Sequence, residues 1–437
     1  MKFRQFLKSD LAFLGLLVFL LVMTAGGHIV QGDEETMFRV TQSILEKGRM
    51  DVGGEEILFP GQSAPFLPSQ DEPILTTSGV PGRDGLYFSK YGIGQSIAAI
   101  PLYILGSWVD DLRPDDFHVR PQGWDSRLWV AMLNPLVLAG CGWLVVSFGK
   151  ALGYSTRTSR WIAFGAVFST FLWPYVKTFY SQPGAAFLLL GAVTCAFRWK
   201  QTRKKAWLWW FSAACAGIIL FRISAVLILP AFLIYFIFFI PESRLRDWVF
   251  PFVLGTGLAL GITAGFNWLR FGSFLTAGYD EIAWTTPLLY GLYGLLFSAG
   301  KGVVFYAPLL VLSVIAGILF ARQHRGEAVL ILSLWVTYLA FYAPHNYWTG
   351  GFNWGPRFLL PIIPLAFIPL GSLLEDHSIR GAKPLFFALF GLGVFAQVPA
   401  VLVDHSRFLY QHFEETQAPE AYSLTIEDFS YSPLINQ

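Results

Sequence analysis

Charged residues are scarce in this sequence. Of its 437 residues, 14% are Asp, Glu, Lys or Arg, whereas 54% are hydrophobic and 17% are aromatic. Soluble domains carry roughly 25% charged residues, so most of this chain is expected to face lipid or other parts of the protein. The net charge is only +2, which indicates no nucleic-acid partner, because such proteins need a strongly basic surface.

Cysteine is also rare, and nucleotide-binding fingerprints are absent. The three cysteines lie inside apolar runs, so they predict neither a disulfide framework nor a metal motif. The glycines of the segment 90–96 (KYGIGQS) are too few and wrongly spaced for a dinucleotide or phosphate loop. No nucleotide site is therefore predicted. The sequence also contains no low-complexity tract and no obvious internal repeat.

Long apolar runs dominate the chain and predict an all-α polytopic membrane protein. The first run follows a basic N-terminus, as in a signal peptide, but it is too long and lacks a clear cleavage site, so it is predicted to remain as a span. Runs that could cross a bilayer occur at 11–31, 127–149, 160–176, 181–198, 206–240, 249–266, 302–320, 327–343, 358–374 and 384–403.

Two segments decide the predicted topology. The run 206–240 has basic residues at both ends and is interrupted at Arg222. By the positive-inside rule both ends are cytoplasmic, so we predict two helices with Arg222 near their outer turn. The segment 93–108 is short and contains Pro101. If it crossed the membrane, the later basic loops would face outward, so it is predicted to lie in the membrane interface.

The resulting prediction is a bundle of about eleven transmembrane helices in the cell (inner) membrane. The N-terminus is cytoplasmic and the C-terminus is extracytoplasmic. Residues 1–403 form the transmembrane domain, including a first outer loop, 32–126, with interfacial helices. Residues 404–437 form an outer tail.

Acidic residues follow the first span directly. Asp33 and Glu34 precede an amphipathic helix pattern that ends at Gly48. Acids at a helix N-terminus are also ordinary capping residues, stabilised by the helix dipole. The functional alternative is a general base held at the depth of lipid phosphates, where it could act on a lipid-linked substrate.

Isolated cations lie at the outer ends of later spans, where they could either reach lipid headgroups or bind a phosphate. They are Lys177, Arg222, Arg270, Lys301 and Arg357. Arg357 ends a loop rich in Gly and aromatic residues that begins at His345. His345 is interpreted either as a metal ligand or as an ordinary hydrogen-bonding residue, and aromatic rings in this loop could stack on a sugar.

With these motifs, the chain resembles the GT-C glycosyltransferases, near the protein O-mannosyltransferases and the lipid A aminoarabinose transferase. The resemblance follows the chain in order through five segments. They are Asp33-Glu34 with the helix to Gly48, 90–95 (KYGIGQ), 178–183 (TFYSQP), 297–302 (FSAGKG) and 350–357 (GGFNWGPR).

The resemblance implies a sugar transferred from a polyprenyl-phosphate donor to an acceptor on the outer face, with Asp33 as base and Glu34 beside it. Phosphate binding is predicted for Arg357, Lys301 and Arg222. Predicted substrate-binding residues are Lys90, Tyr91, Gln182, His345, Trp348, Asn353 and Trp354. The sugar and the acceptor, whether glycolipid, polysaccharide or protein, are not specified.

One residue departs from the family pattern. Related enzymes commonly carry an acid before the Pro of the second outer loop, but here that residue is Gln182. An amide cannot act as a base and is a poor cation ligand. No metal ligand is assigned, and a divalent metal ion is left open as a cofactor. Two other functions remain alternatives: a transporter or flippase for a lipid-linked glycan, and a non-catalytic protein that binds such a glycan.

Overall fold

A computed structural model of the protein describes residues 10–29, 32–53, 79–112, 124–240, 245–279, 283–351, 353–403, 426–427, 432 and 434. The basic N-terminus, part of the predicted first outer loop and most of the predicted tail lie outside the described residues.

The described part of the chain is mainly helical. The helices are α1 Asp10–Met23, α2 Gly32–Lys47, α3 Gly94–Asp111, α4 Trp124–Ala131, α5 Leu133–Ala151, α6 Thr156–Phe168, α7 Gln182–Thr202, α8 Lys205–Phe221, α9 Leu229–Phe239, α10 Leu245–Phe271, α11 Leu288–Phe297, α12 Val303–Tyr306, α13 Leu309–Gln323, α14 Arg325–Tyr342, α15 Ile363–Ala366, α16 Leu370–Glu375 and α17 Ala382–Leu402. Short 3-10 helices cover Arg83–Gly85, Trp173–Lys177, Ile223–Ile228 and Arg357–Ile362.

Four described segments are long and apolar enough to cross a membrane: Trp124–Ala151, Leu245–Phe271, Arg357–Glu375 and Ala382–Leu402. Five shorter apolar helices accompany them. The multi-pass helical architecture is thus confirmed, whereas the number of about eleven spans stays a prediction. In Arg357–Glu375, 94% of the apolar window is buried inside the protein, against 28% in Ala382–Leu402. The segment that begins at Arg357 is therefore surrounded by other helices.

The run 206–240 forms two helices, as predicted. Helix α8 ends at Phe221, and Arg222 has an extended backbone with φ −150° and ψ 114°. The ring of Phe211 lies 4.9 Å from that of Phe232 and 5.1 Å from that of Phe236. In one continuous helix, residues 21 positions apart would be separated by roughly 30 Å. The chain must therefore turn back at Arg222, which confirms the predicted break.

The two helices predicted in the first outer loop are present. Helix α2 covers Gly32–Lys47, and Gly48 follows it at φ +62°. Helix α3 matches the predicted 93–108 segment and packs against α2. The Ser96 hydroxyl donates to the carbonyl of Met37 at 2.8 Å, and the Thr41 hydroxyl donates to the carbonyl of Ser96 at 3.0 Å. The placement of α3 in the membrane interface stays a prediction.

Two expectations need correction. The all-α prediction missed a small antiparallel sheet of order β1-β3-β2, formed by Asp51–Gly53, Tyr87–Ser89 and Gly79–Pro81. Strands of three residues are too short to carry a readable period. The first helix also ends at Met23 rather than near residue 31, and the chain turns at Gly27, whose φ is +68°.

The described tail residues return to the loop before α12. The amide of Gly300 donates to the carbonyl of Ile426 at 2.9 Å, and the buried Ser432 hydroxyl donates to the carbonyl of Ala299 at 2.8 Å. These described tail residues therefore lie beside that loop, and the extracytoplasmic orientation of the tail stays a prediction. Its division from the transmembrane domain at residue 403 stays a prediction.

Candidate active site

Asp33 lies in the first turn of α2, at the N-terminal end of the helix, where the helix dipole favours a carboxylate. Its Oδ2 is 3.5 Å from Nη1 of Arg357, a residue 324 positions later in the chain. The side chains are 23% and 16% exposed, respectively. The structure thus brings together the predicted base and one predicted phosphate ligand.

The Tyr91 hydroxyl is a second hydrogen-bond donor to Asp33. Burial and the nearby carboxylate raise the pKa of Tyr91 well above its usual value. The phenol therefore keeps its proton at neutral pH and donates to Asp33. Tyr91, predicted as a substrate-binding residue, thus contacts the candidate base directly.

Arg357 is supported by two aromatic rings and a glycine. Its guanidinium carbon lies 5.2 Å from the ring centres of both Tyr180 and Phe358. Gly350 has φ +75°, and a Cβ there would lie 2.7 Å from Cγ of Arg357. Only glycine therefore suits position 350. The buried Nε of Arg357 has no hydrogen-bond partner within the described part of the chain.

Two further cations lie beside this pair. The Arg222 guanidinium lies 5.7 Å from the ring of Phe358, so it shares that ring with Arg357. The Lys90 ammonium lies 5.8 Å from the ring of Tyr91 and 6.0 Å from that of Tyr279. Neither Arg222 nor Lys90 forms an ion pair with a carboxylate among the described residues. Both remain available for an anionic ligand.

The glycines of the 90–95 segment have a packing role. A Cβ on Gly92 would lie 2.3 Å from the carbonyl oxygen of Leu220, and one on Gly94 would lie 2.4 Å from the ring of Phe221. The segment therefore contacts the end of α8 directly. This close approach places Lys90 and Tyr91 near the turn that carries Arg222.

Lys301 and Arg270 instead hold loops in place. Lys301 is 3% exposed, and its ammonium donates to the carbonyl oxygens of Gly351 and Asn353. Arg270 donates to the carbonyls of Ser89 and Tyr91. These two cations stabilise the 351–353 loop and the 89–91 segment. The ammonium of Lys301 thus faces backbone oxygens, and its role in phosphate binding stays a prediction.

Lys177 caps a helix. Its ammonium donates to the carbonyls of Ala400, Val401 and Val403 at 3.4, 3.1 and 3.2 Å, at the C-terminal end of α17. A cation at this end of a helix satisfies free carbonyls and the helix dipole. Position along the sequence did not distinguish such a cap from a phosphate ligand.

Glu34 and Gln182 are buried close to the Asp33 pair. Glu34 is 1% exposed, and its charge acts on Tyr180, whose pKa is raised mainly by burial. Gln182 is 2% exposed and begins α7, two residues after Tyr180. Its Oε1 has no hydrogen-bond partner among the described residues. Both side chains are therefore enclosed by the protein.

The loop before Arg357 is well packed. Nδ1 of His345 accepts a hydrogen bond from the backbone amide of Tyr347 at 2.9 Å, and burial, with a contribution from Arg222, lowers the pKa of His345. A neutral imidazole accepting at Nδ1 fits the hydrogen-bonding interpretation made from sequence.

The other loop residues predicted to bind substrate are also packed inside. The Asn353 amide donates to the carbonyl of Gly350 at 2.7 Å, and the Trp354 indole donates to Oε1 of Gln397 at 2.8 Å. Trp348 is 5% exposed and packs against Gly294. These side chains shape the loop under Arg357, and sugar stacking on them stays a prediction.

Sequence reasoning missed Tyr180 and Tyr279 as parts of the site. Tyr180 lies within the segment 178–183, which is one of the five segments of the family resemblance. That membership could have identified Tyr180 as a candidate site residue. Burial raises the pKa of Tyr279, and the charge of Arg222 opposes this shift, which places the two groups close together. Nothing in the local sequence pattern around Tyr279 indicated this position.

The fold can now be compared with known proteins. No protein-family model matches the sequence, and a search of curated proteins finds no relative. Solved structures do match. ArnT from Cupriavidus metallidurans bound to undecaprenyl phosphate aligns with a TM-score of 0.57 at 12% identity, covering 97% of this chain and 73% of that chain.

A second match is the archaeal oligosaccharyltransferase AglB from Archaeoglobus fulgidus, solved with an inhibitory peptide and a dolichol-phosphate. It aligns with a TM-score of 0.53 at 10% identity, covering 99% of this chain and 61% of that chain. This chain thus spans less than two thirds of AglB. Both proteins belong to the GT-C superfamily. The structure of this chain is therefore a GT-C membrane fold, as the sequence motifs predicted.

Proposed function

We propose that this protein is a membrane glycosyltransferase that transfers a sugar from a polyprenyl-phosphate donor to an acceptor on the extracytoplasmic face. The observation that carries the proposal is the grouping of five side chains. Asp33 contacts Tyr91 and Arg357. Arg222 and Lys90 lie beside them. A carboxylate next to cations that have no carboxylate partner in the described part of the chain suits a reaction in which a base acts beside a leaving phosphate. The GT-C fold and its lipid-phosphate-bound neighbours support the donor class.

In the proposed reaction, Asp33 accepts the proton of an acceptor hydroxyl as the acceptor oxygen attacks the anomeric carbon of the sugar. The bond between that carbon and the phosphate oxygen breaks, and the polyprenyl phosphate leaves with the electron pair. Arg222 and Lys90, together with Arg357, stabilise the phosphate. Preorganised cations in a water-poor site strongly stabilise the negative charge that develops on the leaving phosphate. Lys301 is assigned to the loop and not to the phosphate, because its ammonium donates to two carbonyls.

The test of the base is Asp33→Asn. The amide keeps the side-chain shape but cannot accept a proton, so turnover should fall about 10²–10⁴-fold. The assay is transfer of labelled sugar from a panel of polyprenyl-phosphate sugars in membranes that contain the protein. Glu46→Gln, at the exposed end of the same helix, is the matched control and should retain activity. Near-normal turnover by Asp33→Asn would contradict the assigned role.

The test of the phosphate site is binding of undecaprenyl phosphate to purified Arg222→Ala and Lys90→Ala. Each loss of a charge-assisted contact should weaken binding by about tenfold or more. Arg322→Ala, an exposed cation at the end of α13, provides the control. Wild-type binding by both site variants would place the phosphate elsewhere. A transporter or a non-catalytic binder would bind the lipid phosphate yet show no transfer from any donor in the panel.

A further inference from the structure

The groups that contact Asp33 are hydrogen-bond donors. Nη1 of Arg357 lies 3.5 Å from Oδ2 of Asp33, and the Tyr91 hydroxyl donates to the same carboxylate. Because Tyr91 retains its proton, it is a donor and not an anionic ligand. The carboxylate that begins the outer loop is thus directed toward a fixed guanidinium and a phenol.

A divalent cation fits this set of groups poorly. Mg²⁺ and related ions take oxygen ligands and usually bind through one or more carboxylates. Where the family pattern has an acid, Gln182 supplies a neutral amide. No group of three His, Cys, Asp or Glu residues that could hold a metal ion occurs in the described part of the chain. The guanidinium of Arg357 would repel a second cation beside Asp33.

We propose that Arg357 is itself the cation that joins Asp33 to the donor phosphate, so that this protein binds its donor without a divalent metal ion. This inference rests on the proposed function and specifies how the same site works. A guanidinium has five N–H donors in a rigid plane. One can face Asp33 while others face phosphate oxygens, which is the bridging geometry that a metal ion would otherwise supply.

The surroundings of Arg357 prepare it for this role. The rings of Tyr180 and Phe358 hold the guanidinium, each at 5.2 Å. The glycine at 350 lets the aliphatic part of Arg357 pass at close range. Lys301 fixes the next residues of the loop through the carbonyls of Gly351 and Asn353. The charge is therefore positioned before the donor binds, with little reorganisation required.

The first experiment measures undecaprenyl phosphate binding to purified protein in EDTA and in Mn²⁺. We expect wild-type affinities within about twofold of each other, and a loss of about tenfold or more for Arg357→Ala in EDTA. A wild-type affinity that falls at least fivefold in EDTA would overturn the proposal. Arg357→Lys, which keeps a charge and an aliphatic stem but loses the planar fork, should bind more weakly than wild type. Wild-type binding by both variants in EDTA would equally overturn it.

A second experiment does not depend on the donor. Electron paramagnetic resonance of Mn²⁺ titrated with wild-type protein and with Asp33→Asn reports a metal site directly. We expect no stoichiometric Mn²⁺ binding that depends on Asp33. One bound Mn²⁺ per wild-type chain that is lost in Asp33→Asn would overturn the inference. If wild-type protein fails to bind undecaprenyl phosphate at all, the proposed donor class fails, and the Mn²⁺ titration still tests the metal question separately.

Discussion

The ammonium nitrogen of Lys301 lies 2.8 Å from the carbonyl oxygen of Gly351, and it also donates to the carbonyl of Asn353. These contacts join the loop before α12 to the loop before Arg357. Lys301, remote from Asp33 in sequence, is thereby linked to the loop that precedes Arg357. Lys301 acts on the site through the backbone that leads to Arg357.

Replacing Lys301 by Met should therefore destabilise the protein. Two carbonyls, one buried and one partly buried, would lose their donor, at a cost of about 1–3 kcal/mol each. The midpoint of thermal unfolding in detergent should fall, and Lys383→Met, an exposed lysine at the start of α17, is the matched control. Equal midpoints for the two variants would show that the Lys301 contacts contribute little.

Stability should also depend on pH through Lys301. Burial, with a contribution from Arg357, lowers the pKa of Lys301 to about 7. A lysine in the unfolded chain has a pKa of about 10.4. Between these values the unfolded chain binds more protons than the folded chain, so this residue makes stability rise with pH across that window. The unfolding midpoint of wild-type protein relative to Lys301→Met should increase from pH 7 to pH 10, and a constant difference would contradict the assignment.

Gly350→Ala should impair the site more than an equally strained substitution elsewhere. Both Gly350 and Gly48 have positive φ, +75° and +62°, so alanine is strained at each. Only at Gly350 would the new Cβ meet Arg357, at 2.7 Å, whereas nothing lies within 4 Å at Gly48. Undecaprenyl phosphate binding should fall about tenfold or more in Gly350→Ala and stay near wild type in Gly48→Ala. Similar binding by both variants would exclude a special role for the contact.

The predicted orientation can be tested by labelling. Leu275, which is 93% exposed in the loop after α10, is predicted to be extracytoplasmic, and exposed Thr202, at the end of α7, is predicted to be cytoplasmic. In a chain whose three native cysteines are replaced by alanine, an impermeant maleimide should label Leu275→Cys in intact cells and leave Thr202→Cys unlabelled. The reverse pattern would invert the topology.

Local sequence signals predicted much of the helical architecture. The interruption at Arg222 between two basic flanks predicted the hairpin of α8 and α9, and the acidic start and Gly48 stop predicted α2 almost residue by residue. These signals are readable from sequence because the length of an apolar run, the helical period and the residues at helix ends are all properties of one continuous segment. The three-residue strands were missed because their pairing joins segments separated along the chain.

The contacts of the cations at the ends of predicted spans were decided by tertiary structure. Lys301 and Arg357 are similar on local grounds, since each is an isolated cation at the outer end of a predicted span beside glycines. In the fold, the first donates to backbone carbonyls and the second pairs with Asp33. A cation binds the nearest suitable acceptor, and which acceptor is nearest depends on how distant helices pack.

The sequence by itself determined that the chain is a multi-pass helical membrane protein with acidic residues shortly after its first apolar run. The period and length of apolar runs carry that information locally. Only the tertiary structure decided that Asp33 contacts Arg357 and Tyr91, and that Arg222 and Lys90 lie beside them. Those contacts join residues as many as 324 positions apart, and they form because buried charges require partners that helix packing alone can bring within reach.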